Sequence, residues 1–186
     1  KGKNYIAQNW NVNKFTNNKY KDLKLNENPQ PIIDQREYKI SPIKIDVAEK
    51  KSDRLVFFEN ELDFKSFNID SYKKIYCIML NNEERQVKLG NKVLEYKKNL
   101  IKNQIQNADL QIEFIEGNKF TELSSSEKDF DIIYPSVGEN MSFLKRIMKK
   151  NDLIINYLTR EEDKYCWQFS NKGYFNFKSN IPKILS

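Results

Sequence analysis

The chain has 186 residues, 39% of them apolar and 31% charged, with 32 Lys and Arg against 26 Asp and Glu for a net charge of +6. That length suffices for one domain with a core of its own, or one domain plus an ordered arm. It has no histidine, which excludes His-dependent triads and most zinc sites, and no apolar run nears the ~20 residues that span a bilayer. Residues 1–50 carry aromatics (Tyr5, Trp10, Phe15, Tyr20) among Asn and Lys, with Pro29, Pro31 and Pro42, and show little sustained periodicity. They read as an irregular N-terminal arm that docks on a domain spanning 51–186, with extended pieces near 38–45.

RLVFF at 54–58 is a compact apolar run and the first central strand. A polar connection with room for one short helix leads to KIYCIML at 74–80, a second buried-type strand. Residues 82–107 carry the longest helical pattern, with Val87, Leu94 and Ile101 on one stripe, acids at its start and lysines toward its end. Alternation over 110–115 predicts a third strand. A loop then contains Ser124 to Ser126, and the run at 131–134 closes on Pro135. The spacing at 141–148 predicts a helix with Ser136 and Glu139 as a capping box, and 152–158 predicts a further strand. After a charged cluster at 160–163, YFNFK at 174–178 alternates as a strand would, and 180–182 ends the pattern. Strands alternating with helices make the fold class α/β: a Rossmann-like, doubly wound, mostly parallel sheet with an irregular N-terminal arm. Cys77 and Cys166 sit among apolar neighbours, as buried reduced thiols do. With no signal-peptide pattern at the N-terminus, the expected location is intracellular, cytoplasmic or nuclear.

From residue 54 to 178 this element order resembles the class I S-adenosylmethionine-dependent methyltransferase fold. The resemblance rests on IYCIMLNNEE at the second strand, IEFIEGNKFTEL at the third and FDIIYPS at the fourth. It implies a ribose-binding acid after the second strand, where Glu83 or Glu84 stands slightly beyond the expected place and Asn81 nearer it, and an adenine contact at Gly117 and Asn118. It implies a substrate motif at Tyr134, Pro135 and Ser136. In such proteins the first strand runs into a glycine-rich loop, but LVFFENELDFKSF has no glycine, so a Cβ stands wherever a cofactor would approach the backbone.

The combined expectation is a degenerate copy: a non-catalytic subunit supporting a nucleic-acid-modifying complex, with no cofactor of its own. Heterodimerisation with an active methyltransferase would supply the chemistry. Two basic helix edges, Lys97, Lys98 and Lys102 and then Lys145, Arg146, Lys149 and Lys150, would hold RNA or DNA if they converge. No membrane contact and no metal are expected. The alternatives are an active, divergent RNA or DNA methyltransferase using S-adenosylmethionine, and an α/β interaction module without a nucleic-acid role. Asp129 and Asp131 read as acids facing solvent at a strand start. Glu113 and Glu116 fall on opposite faces of a strand and make a poor catalytic pair.

Overall fold

A computed structural model describes residues 7–22, 24–26, 28, 49–108, 110–170 and 173–185. The chain divides into two units, Lys1–Ile43 and Lys44–Ser186. In the first, helix α1 covers Asn9–Phe15, so the arm is not wholly irregular. Asn11 caps its start, accepting the Gln8 N–H at 2.9 Å. The extended pieces expected at 38–45 lie outside the described residues.

The second unit is built on a five-stranded, all-parallel sheet in the order β3-β2-β1-β4-β5. Its strands are β1 (Arg54–Phe58), β2 (Lys74–Met79), β3 (Ile112–Glu116), β4 (Asp129–Ile133) and β5 (Ile154–Leu158). Between and after them run α2 (Asn91–Gln106), α3 (Gly117–Ser126), α4 (Glu139–Asn151), α5 (Glu161–Trp167) and α6 (Tyr174–Ile184). This is a Rossmann-like α/β sheet. β1 lies at its centre, and the pleat sends its residues alternately to two cores. Val56 and Phe58 join Phe120 of α3 and Phe143, Leu144 and Ile147 of α4. Leu55 and Phe57 join Ile101 of α2, with Phe64 and Ile69 from the β1–β2 connection. Helices therefore cover both faces, which is why the central strands read as continuous apolar runs.

Several expectations from sequence are corrected. The β1–β2 connection holds two 3-10 turns, Phe64–Ser66 and Ile69–Ser71, each contributing one buried residue, in place of a helix. The long helix begins at Asn91, and residues 82–90 are not helical. Gly90 occupies the N-cap, and the Asn82 side chain accepts the Leu89 N–H at 2.8 Å and donates to the Leu89 carbonyl at 2.9 Å, folding the segment on itself. Residues 117–126 form α3 where a loop was expected. Ser124 is fully buried there and accepts from Asn151 Nδ2 of α4 at 2.7 Å.

The capping box at Ser136 does not form. The N-cap of α4 is Gly138, at φ +126, a conformation that side chains rarely adopt. Glu139 points instead to the backbone N–H groups of Gln86 and Val87, at 3.0 and 3.1 Å. YFNFK is the first half of α6, not a strand, and 180–182 lies inside that helix, which buries no residue. Of the two thiols only Cys77 is buried. Asp131 does not face solvent. It is fully buried within β4 and accepts from the Lys51 N–H (2.9 Å), the Tyr72 hydroxyl (2.8 Å) and Asn156 Nδ2 (2.9 Å).

Candidate functional site

Open α/β sheets take ligands outside the carboxyl ends of their strands, where the strand order reverses. Here that point lies between β1 and β4. The chain leaves β1 through Glu59 and Asn60, β2 through Leu80 and Asn81, and β4 through Tyr134, Pro135 and Ser136.

Glu59 dominates this end of the molecule. Its carboxylate is buried completely, and Oε1 takes Arg85 at 2.6 Å and Lys97 at 3.1 Å. The Arg85 side chain is only 5% exposed, and its Nε donates to the Leu80 carbonyl at 3.1 Å. A buried acid held by two cations is tolerable because the charge is compensated where it is desolvated. The second carboxylate oxygen, Oε2, has no hydrogen-bond partner among the described residues, and neither does Oδ1 of buried Asn140. Asn140 does donate its amide to Asn60 Oδ1 at 2.8 Å, tying the start of α4 to the end of β1.

Arg85 belongs to a strap, residues 81–90, that crosses the carboxyl end of the sheet. Besides the Glu59 pair and the Glu139 bonds, Arg146 of α4 donates to the Glu84 carbonyl at 2.6 Å, and Glu84 Oε2 accepts the Asn81 N–H at 2.7 Å. The Glu84 side chain lies on Gly117. A Cβ at that glycine would stand 3.1 Å from Glu84 Cγ and Cδ and from Leu80 Cδ2, so a side chain there would make these two give by a few tenths of an ångström. The Gln86 N–H first, then the Val87 N–H and the charges of Arg85 and Arg146, hold the Glu139 carboxyl below its ordinary range against a burial effect.

Of the residues assigned to a cofactor from sequence, Asn81 and Gly117 thus meet through Glu84. Glu83 is exposed on the strap, and exposed Asn118 uses its side chain on the Lys119 N–H. Tyr134 and Ser136 line a small cavity of about 50 Å³ with Glu61, Thr159, Arg160, Asp163 and Trp167. Pro135 is buried, and Ser136 is held at φ +60. Arg160 is saturated there by Glu61 at 2.6 Å and by Asp63 and Asp163. The Tyr134 ring packs edge-on against Tyr157 and Trp167, and burial raises the pKa of its phenol. A cavity of that size has room for ordered water and excludes a nucleotide-sized group.

α2 contributes to one core and α4 to the other, while one cation from each basic edge reaches the strap region: Lys97 pairs with Glu59 beside Arg85, and Arg146 donates to the Glu84 carbonyl. On α2, Lys97 is spent on Glu59 and Lys102 lies 5.2 Å over the Phe114 ring. On α4, Lys145, Lys149 and Lys150 are exposed and make no ion pair among the described residues. Sequence reasoning missed Glu59 and Arg85 and, although it singled out Asn81, Glu83 and Glu84, read 82–90 as the start of a helix. The available signal was a single acid closing an apolar run, followed by an Asn and Glu-rich segment unsuited to a helix start.

No helix among the described residues is long and apolar enough to cross a membrane, and those residues hold no metal-binding cluster of His, Cys, Asp or Glu. No family model, curated protein or solved structure matches the chain.

Proposed function

We propose that this chain is a non-catalytic, methyltransferase-like subunit of a nucleic-acid-modifying complex, pairing with an active partner and lending it a binding surface. The observation that carries the reading is Glu59. Where a glycine-rich loop would expose backbone to a cofactor, β1 ends in a buried carboxylate neutralised by Arg85 and Lys97. The strap that brings Arg85 then covers the same crevice. A cofactor entering there must break a desolvated ion pair and leave a buried charge behind, at a cost of roughly 3–5 kcal/mol.

Nucleic acid, in this reading, lies along α4. Lys145 and Lys149 stand one turn apart, as do Arg146 and Lys150, giving two rows with a repeat of about 6 Å along the axis. Phosphates neutralised by these cations would release counterions, so affinity would fall with salt.

Isothermal calorimetry of the purified chain with S-adenosylmethionine tests the first half of the reading, and the expected result is no heat of binding. Titration with single-stranded RNA at low and moderate salt tests the second. The expected result is salt-dependent binding that weakens when Lys145 and Lys149 are changed to Glu. Tight cofactor binding, or RNA binding indifferent to both salt and those substitutions, overturns the corresponding half.

A further inference from the structure

The strap is attached to the body of the domain in an unusual way. No residue of 81–90 is buried as a whole, although the Arg85 side chain is only 5% exposed and Leu80, just before them, is completely buried. Regular structure is absent across the segment, and its hold on the rest of the unit is polar. Glu139 receives two of its N–H groups, Arg146 reaches its Glu84 carbonyl, and Arg85 reaches back to Glu59. The Asn82–Leu89 clasp and the Asn81–Glu84 bond are internal and would survive its movement. The bonds to Glu139 and Arg146 are solvent-exposed, whereas the Arg85–Glu59 pair is buried, so the hold on α4 is the part that solvent reaches. Few buried apolar contacts and exposed hydrogen bonds are the marks of a segment that opens locally.

Polar groups lie beneath the strap as well. Glu59 Oε2 and Asn140 Oδ1 are buried beside its anchor points with no protein donor among the described residues.

We propose that residues 81–90 form an electrostatically latched strap that opens as a unit from the carboxyl end of β1, with Glu139 and Arg146 of α4 as its catch. The ends of the moving segment are Asn81, next to the fixed end of β2, and Gly90, which has open space around it. Opening uncovers Glu59 and Asn140 at the point where doubly wound sheets take ligands. The catch and the crevice are therefore controlled from α4. Whether a cofactor then enters is a separate matter, read by calorimetry and not by the motion itself.

Hydrogen exchange followed by mass spectrometry tests the latch on the full chain. Glu139 and Arg146 lie at the surface of α4, so Glu139→Ala and Arg146→Ala leave the cores intact. In Glu139→Ala, peptides covering 82–90 are expected to exchange roughly ten-fold faster or more, as loss of hydrogen bonds to a charged group implies. Peptides from β1 and β4 should be unchanged, and Arg146→Ala should produce the same pattern to a smaller extent. Two outcomes overturn the proposal. One is strap protection equal to that of the sheet and unaltered in both variants. The other is a strap that exchanges only together with β1 and β4.

Discussion

At the scale of single residues, the buried polar groups do the most specific work. Asp131 sits in the middle of β4 yet accepts three hydrogen bonds, from segments that precede β1, precede β2 and form β5. One carboxylate thereby fixes three pieces of chain that no local sequence pattern connects. Tyr72 shows the consequence for pH. Burial first, then its bond to the Asp131 carboxylate, push its phenol far above the ordinary tyrosine value of 10.0. The unfolded chain therefore loses this proton as pH rises past about 10, while the folded chain keeps it. The stabilisation is complete below that pH and declines above it. Tyr72→Phe is expected to unfold at lower denaturant at pH 8 and to show a shallower loss of stability between pH 9.5 and 11. Equal slopes for the two proteins in urea titrations would contradict the assignment.

At the scale of elements, the strands were plain in the sequence and the segments between them were not. RLVFF, KIYCIM and DFDII declare themselves because both their faces are covered, which leaves little room for polar residues. The β4–α4–β5 unit was legible for a related reason: the apolar residues of α4 recur at helical spacing on a strongly cationic helix. α3 was not, since GNKFTELSSS is poor in helix formers. It is held by tertiary contacts instead, with Phe120 edge-on to Phe130 at 5.4 Å and Asn151 reaching Ser124. α6 misled because YFNFK taken alone has a period of two, the strand signature, while the helical recurrence of Tyr174, Phe177, Ile181 and Ile184 shows only over the whole element, which buries nothing. Most of the candidate site was hidden as well. The clasp between Asn82 and Leu89 and the reach of Glu139 to Gln86 and Val87 are side-chain to backbone bonds, which leave no periodic trace.

The β1–β2 crossover illustrates how such an element can still be firm. Its 3-10 turns are short, but Phe64 is buried and stacks on Phe57 with ring centroids 4.7 Å apart and planes at 21°. Phe64→Ala should cost about 3–5 kcal/mol in chemical denaturation, comparable to truncating a strand residue. A loss below about 1 kcal/mol would mean the crossover collapses around the gap.

For the whole molecule, the central place of β1 has a consequence for how the protein is made. β1 leaves the ribosome before any of its neighbours. β2 follows within a few tens of residues, but β4, which covers the other edge, arrives much later: Arg54 and its partner Asp129 are 75 positions apart. At ordinary rates of synthesis the interval is about 4 to 15 s. Throughout it the strand has one open edge and two apolar residues, Val56 and Phe58, whose core with α3 and α4 is not yet complete. Nascent chains halted just before residue 129 should therefore bind chaperones or aggregate, and chains released after β5 should not; pelleting of stalled translation products at the two lengths would measure the difference. The sheet's most buried strand is thus the one that the cell must shelter longest.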